Sequence, residues 1–264
     1  RALGAAGESA ATSLHVLSDP QKGMAGSMDR AMLGYQRLTD MAALALMPDE
    51  HKTVVAGREF WVGHLHGQDV VAVLSRIGKV AAATTASALI EGFSVRNIIF
   101  TGVAGGLGPG VNVGDVVVAD SFLQHDLDAS PIFPRYEVPL YGASRFATDA
   151  ALTQQLAHAA AAALPGVALH RGLVISGDRF VSTTAEARAL QAALPDALAV
   201  EMEGAAIAQV CHDYGVPFAA VRTVSDRADD AAHGDFMKFV QEVASAHSAA
   251  IVNAFLQARP AAAT

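Results

Sequence analysis

The sequence is short of cysteine, of positive charge and of long apolar runs, and each shortage removes a class of protein. Cys211 is the single cysteine in 264 residues. An internal disulfide and a multi-cysteine metal site are therefore both excluded. The residue sits in an apolar helical pattern, where a lone thiol reads as a small buried hydrophobe. Ten histidines are present, but none pairs in HxxxH or HExxH spacing, so neither a metal nor another cofactor is expected. Charged residues make up only 17% of the chain and sum to a net charge of −8. That balance argues against a nucleic-acid backbone as partner, which calls for a basic face. No apolar stretch reaches the roughly 18 residues of a membrane span. The chain opens at Arg1 without an initiator Met or the apolar core of a signal peptide; a cytoplasmic location is the expectation, with an exported form left open.

What is present is an apolar chain, 52% hydrophobic, long enough to bury a substantial core in one large domain or two small ones. Residues 1–30 carry no sustained period beyond a short strand at Leu14–Leu17, and Asp29–Met47 reads as a helix before Pro48. From Thr53 the pattern sharpens: a hairpin with strands near 53–56 and 59–65, a strand at 68–74, a helix at 80–91 and a buried strand at 97–100. A Gly-rich loop over 102–110, a strand at 113–119, a long surface loop to Tyr141 and a helix at 143–164 follow. The remainder reads as a strand at 170–176, a helix at 185–194, a βαβ unit over 197–224 and a last helix from Phe236 to Leu256. Strands and helices alternate without a linker. The expectation is one α/β domain over 1–264, a three-layer α/β/α arrangement around a mixed, mostly parallel central sheet.

Two stretches dominate the second half of the chain. Ala199–Ala208 (Ala-Val-Glu-Met-Glu-Gly-Ala-Ala-Ile-Ala) places two carboxylates and a Met at the entry to an Ala-rich helix. Ala219–Asp226 (Ala-Ala-Val-Arg-Thr-Val-Ser-Asp) is an apolar strand ending abruptly in Ser225 and Asp226. Acids at the carboxyl ends of buried strands stand where open α/β sheets bind ligands. The plainer alternatives are local: Asp226 as a helix N-cap, Met202 as core and Glu203 as a first-turn acid favoured by the helix dipole. Gly102–Gly110 is not a dinucleotide loop. It lacks GxGxxG spacing and is followed by a strand rather than a helix N-terminus. Without Cβ atoms, its backbone can approach a ligand closely.

Seven segments together resemble the nucleoside phosphorylase/nucleosidase superfamily, and within it the 5′-methylthioadenosine/S-adenosylhomocysteine nucleosidases. They are Ile77–Ala83, Thr101–Leu107, Val113–Val118, His125–Asp128, Ser176–Phe180, Ala199–Glu203 and Arg222–Asp226. They occur in the family's order from about Thr53 onward, whereas residues 1–52 match poorly. The resemblance implies hydrolysis of the N-glycosidic bond of an adenine nucleoside, with release of adenine and no cofactor. A proton must reach N7 as the bond stretches, and a carboxyl held toward neutrality by partial burial can deliver it. By the resemblance Asp226 is the catalytic acid, with Ser225 orienting it, and Glu203 binds the ribose hydroxyls. Met202 packs on the sugar, Phe180 stacks on the purine and the backbone of Val181 reads the adenine edge. Phe236 lines the pocket for the 5′-substituent, Arg222 faces the site, and residues around Ile132, Phe133 and Tyr136 close the neighbour's pocket in a homodimer. Glu201, two residues before Glu203, would share its side in an extended chain.

The chain also departs from the family. The family opens with a strand, a Gly-Ala-Met motif and a Glu that activates the attacking water; no such motif precedes Arg58 at the expected distance. Asp40 is the nearest acid and Thr39 falls at the counted position. Val103 replaces a family Ser, and Arg76 stands where the family often has Gly. Two alternatives therefore stand beside the hydrolase: a purine nucleoside phosphorylase of the same fold, and a catalytically impaired nucleoside-binding relative.

Overall fold

Residues 12–16, 47, 51–229 and 245–259 are described by the structure, a computed structural model. Among them ten strands form one sheet. In chain order the elements are β1 (Thr12–Val16), β2 (His51–Val55), β3 (Arg58–Leu65), β4 (Gln68–Leu74), α1 (Lys79–Phe93), β5 (Asn97–Gly106), β6 (Val116–Gln124) and β7 (Arg145–Ala147). There follow α2 (Ala150–Ala163), β8 (Leu169–Ser176), α3 (Thr184–Ala193), β9 (Ala197–Glu201), α4 (Gly204–Tyr214), β10 (Phe218–Asp226) and α5 (Ser245–Gln257).

The central strands are apolar on both faces because both faces are covered, which is why they read as continuous hydrophobic runs. Val71, Val73, Ile98 and Phe100 turn to a core shared with Ala82, Ala86 and Leu89 of α1 and Ala205, Ile207 and Cys211 of α4. Their sequence neighbours Val70, Ala72 and Ile99 turn to the opposite core, shared with Leu152 and Leu156 of α2 and Ile251 and Phe255 of α5. The period-2 alternation of the strands thus splits one chain into three layers. A third cluster under α3 joins Ala187 and Leu194 to Ile175, Val181 and Val200.

The strand order is β10-β6-β8-β9-β5-β1-β4-β3-β2, and β10 also pairs with β5. Strands β5, β10, β6, β8 and β9 therefore close into a ring. Closure explains three departures from the sequence-based expectation. The sheet is not mostly parallel: five pairings are parallel and five antiparallel. The segment 197–224 is not a parallel βαβ unit, because β9 pairs antiparallel with β5 while β10 pairs parallel with it. The Gly-rich segment is not all loop, because β5 runs on to Gly106, where Gly105 and Gly106 pair with Val200 and Ala199 of β9.

The glycines are needed at that junction. A Cβ on Gly105 would lie 2.9 Å from the Ala228 Cβ and 3.0 Å from Asp226 Oδ1. The group that approaches this backbone closely is the end of β10, whereas the sequence suggested a ligand. Two further boundaries differ. The segment read as one helix over 143–164 first contributes β7 to the edge of β6, through Phe146 opposite Phe122. Helix α2 then starts where Asp149 accepts the Leu152 N–H at 2.8 Å, an N-cap that resets the backbone. The strand placed at 113–119 begins at Val116 and continues to Gln124.

Candidate active site

The carboxyl ends of β8, β9 and β10 converge beside the end of β5, and their last residues are polar. Ser176, Glu201, Ser225 and Asp226 are all buried. An open cleft of about 220 Å³ is lined there by Gly105, Phe180, Val181, Met202, Glu201 and Asp226, among others. Four of the seven expected site residues (Asp226, Phe180, Val181 and Met202) therefore share one cavity. Ser225 is hydrogen-bonded to Asp226, and neither Ser225 nor Glu203 lines the cleft itself. Phe236 lies outside the described residues, as do Asp40 and Thr39.

Asp226 ends β10 at a register shift opposite Gly105. Ser225 Oγ donates to Asp226 Oδ2 at 2.8 Å, and the Ala228 N–H donates to Oδ1 at 2.8 Å. The second bond closes a local turn, and residues 227–229 are not helical, so Asp226 joins a local backbone contact to a place in the cleft without capping a helix there. Phe180 leaves 40% of its surface exposed at the mouth, whereas Val181 beside it is buried.

Glu201 and Glu203 do not share a side, contrary to the extended-chain expectation. Strand β9 ends at Glu201, and Glu203 has left it with φ −134° and ψ −41°. Glu201 faces inward and forms an ion pair with Arg222 Nη2 while accepting from Ser176 Oγ. It also accepts the N–H groups of Glu203, at 3.1 Å, and Gly204, at 2.9 Å. Ser176 Oγ accepts the next one, from Ala205, at 2.7 Å. The orphan donors at the N-terminus of α4 are thus satisfied by β8 and β9 rather than by a residue of the helix. Arg222 is fully buried, with its guanidinium 3.7 Å from the centre of the Phe100 ring, a cation–π contact in a desolvated setting. Among the described residues its Nε and Nη1 find no hydrogen-bond partner.

Because Glu201 and Ser176 cap α4, the Glu203 carboxyl is left for other use. It is 3% exposed and accepts the Gly78 N–H at 2.8 Å. Desolvation, and then the neighbouring charge of Glu201, raise its pKa to about 8; Arg222 and the Gly78 and Met202 backbone groups oppose the shift. The consequence for stability has a definite sign. Between the ordinary carboxyl range and about 8 the folded chain holds a proton that the unfolded chain has lost, so stability is full below that window and declines as pH rises through it. One proton limits the slope to about 1.4 kcal/mol per pH unit. Denaturant unfolding of the ligand-free protein at pH 5.5 and 8 is expected to give the lower stability at pH 8. Glu203→Gln is expected to flatten the difference.

Among the described residues no group of three or more His, Cys, Asp or Glu is placed to hold a metal ion, and no helix is long and apolar enough to cross a membrane. The cleft instead has an aromatic platform, an apolar floor and buried carboxyl groups, which suits a neutral ring system bearing a sugar.

The chain is similar to known proteins in sequence and fold. The phosphorylase superfamily model matches residues 31–257. A 5′-methylthioadenosine/S-adenosylhomocysteine nucleosidase of Anoxybacillus flavithermus is 40% identical over 202 residues, covering 76% of this chain and 86% of that protein. The nucleosidase of the same name from Neisseria meningitidis, solved with methylthio-immucillin-A, superposes with a TM-score of 0.82 at 32% identity, covering 94% of this chain and 99% of that one. The S-adenosylhomocysteine nucleosidase of Streptococcus pyogenes, solved with 5-methylthiotubericidin, gives a TM-score of 0.83 at 29% identity over 97% of this chain and all of that one. With its closed mixed sheet and its carboxyl-lined cleft, the chain belongs to the phosphorylase superfamily and, within it, to the 5′-methylthioadenosine/S-adenosylhomocysteine nucleosidases.

Proposed function

We propose that the protein hydrolyses the N-glycosidic bond of 5′-methylthioadenosine and S-adenosylhomocysteine, releasing adenine. The observation that carries the residue assignment is the buried Asp226 carboxyl in the same cleft as Phe180, Val181 and Met202. In this reading the purine lies against Phe180 with its edge on the Val181 backbone, and Asp226 gives a proton to N7. The C1′–N9 bond then breaks with its electron pair moving into the base, which leaves neutral; water bonds to C1′ and loses a proton to solvent, and solvent returns one to the Asp226 carboxylate. Ser225 holds the carboxyl toward the base through the bond to Oδ2. Glu203, once ionised, takes the two ribose hydroxyls, with Met202 against the sugar. Glu201 does not serve the sugar; its oxygens are engaged with Arg222, Ser176 and the α4 N-terminus.

A phosphorylase would need a free cationic pocket for its anion. Among the described residues that line the cleft, the one cation is Arg179, which is ion-paired with Glu186. Adenine release from methylthioadenosine, followed by ultraviolet absorbance, is expected to proceed at the same rate with and without phosphate. A requirement for phosphate would favour the phosphorylase, and nucleoside binding with no adenine over hours would favour a non-catalytic relative.

The loop between β6 and β7 supports a homodimer. Ile132 and Leu140 are 82% and 91% exposed there, and a second copy packed on the loop would take that apolar surface out of water. In this reading the loop covers the partner's cleft. The corresponding location is the cytoplasm, where the reaction would remove nucleoside by-products. Light scattering on the purified protein is expected to give twice the chain mass.

A further inference from the structure

The entrance of α1 has no cap of its own. Gly78 precedes the helix with φ 93° and ψ 158°, no side chain caps it, and its first turn holds no acid. Its first donors are claimed instead by two carboxylates from distant segments. The Gly78 N–H donates to Glu203 Oε1 at 2.8 Å, and the Lys79 N–H donates to Asp178 Oδ1 at 2.7 Å. One of these groups stands at the sugar side of the cleft, and the other opens the segment that carries Phe180 and Val181. The Lys79 ammonium then donates to Asp126 Oδ1 at 2.6 Å, while Asp126 Oδ2 accepts the Asp178 N–H at 2.8 Å. Lys79, Asp126 and Asp178 thereby form a closed ring of three bonds, fastened to the end of β6. Next to the ring the backbone is pressed against a neighbour: a Cβ on Gly177 would lie 2.4 Å from His125 Nε2.

Resting on the nucleosidase reading of the cleft, we propose that Asp126 is a positioning residue: through Lys79 and Asp178 it fixes the sugar side of the cleft relative to the base side. Asp126 is not among the residues that line the cleft. It acts by holding the α1 entrance, which has one backbone donor committed to each half. Glu203 gets its carboxyl orientation from Gly78, and Phe180 gets its height over the base from the anchored Asp178. Charge-assisted bonds of this kind are the strong ones, and a ring of them keeps its geometry where single exposed pairs do not. Burial opposes the charge on Asp126, but the bond from Lys79, the Asp178 N–H and the ammonium charge outweigh it and hold its pKa below the ordinary carboxylate range. The anchor therefore stays ionised across the neutral pH range.

The test compares Asp126→Asn, Lys79→Met and the double variant with the natural chain. Calorimetry with formycin A, an adenosine C-nucleoside that cannot be hydrolysed, and with free adenine reads the two halves separately. Each single variant is expected to weaken both ligands about tenfold. The double variant should lose less than twofold more, since all three break the same ring. With methylthioadenosine, KM should rise about tenfold while kcat stays within about threefold. Unchanged affinities with only a lower melting temperature would overturn the proposal, as would losses that add in the double variant. So would weakening of formycin A with adenine untouched, because the base side would then not depend on the anchor. If one single variant does not fold, the other carries the same test. An unmodified chain that binds both ligands but releases no adenine defeats the nucleosidase reading and leaves the calorimetric test of the anchor standing. Failure to bind either ligand overturns both.

Discussion

Asp226→Asn is expected to cut adenine release by about 10²–10⁴-fold, the usual worth of a positioned general acid, while nucleoside affinity changes only a few-fold. The substitution keeps the shape of the side chain. Its amide oxygen can still accept the Ala228 N–H, now bound to Oδ1 at 2.8 Å. The Ser225 hydroxyl, which donates to Oδ2 at 2.8 Å, can rotate to accept from the new amide instead. Gly105 leaves the same room for the group. What disappears is the proton, and with it the means of turning adenine from an anion into a neutral leaving group. Single-turnover mixing with methylthioadenosine separates the step from product release, and calorimetry with formycin A reads binding. Full turnover in the variant would remove Asp226 from the mechanism. A loss of affinity as large as the loss of rate would instead make it a binding residue.

Legibility in the sequence follows how local the determining interactions are. Strands β4 and β9 have the boundaries their apolar runs predict, 68–74 and 197–201, because both are interior and flanked by turn or helix signals. Strand β5 was hidden past Phe100. Its last residues are glycines, which carry no hydrophobic signal, and they are glycines because the ring closes there, Gly105 against Ala228 and Asp226 and Gly106 against Val224 and Val111. The Ala-rich stretch before α2 reads as helix, yet Arg145–Ala147 is drawn out as a strand by β6, a partner far off in sequence. Direction within the sheet was not legible either, since order of elements does not tell a closed ring from an open doubly wound sheet. For the cleft, strand ends with polar residues pointed to Asp226 and Ser225, and the resemblance supplied the roles of Met202, Phe180 and Val181. The side of Glu201 was not fixed by the sequence, because two-residue spacing implies a shared side only while the strand continues, and β9 ends at Glu201. Lys79, Asp126 and Asp178 sit inside segments that carry the resemblance, but nothing in their spacing reveals that they meet. A ring of three residues from three segments exists only after folding.

Glu201→Gln is expected to be the most damaging conservative substitution for stability in this region, at about 3–5 kcal/mol, the cost of orphaning one partner of a buried ion pair. The amide can replace one acceptor, so the bonds from Ser176 and the α4 N-terminus are weakened rather than abolished. It cannot replace the charge. Arg222 is fully buried, and among the described residues its Nε and Nη1 already lack partners; without Glu201 its ion-pair partner is gone, and the Phe100 ring at 3.7 Å is a weak substitute. The same substitution acts on Glu203 in the opposite sense. Glu201 is the second cause of the raised Glu203 pKa, after desolvation, and Arg222 opposes it. Removing the carboxylate while keeping the guanidinium therefore lowers the Glu203 pKa toward the ordinary range. Denaturant unfolding of Glu201→Gln should accordingly show two changes together: a large drop in stability at every pH, and a decline with rising pH that is complete at lower pH than in the natural chain. A double variant with Glu203→Gln should keep the first change and lose the second. A drop below 1 kcal/mol would mean that Arg222 has another counterion. An unshifted pH profile would mean that the two carboxyl groups do not sense each other.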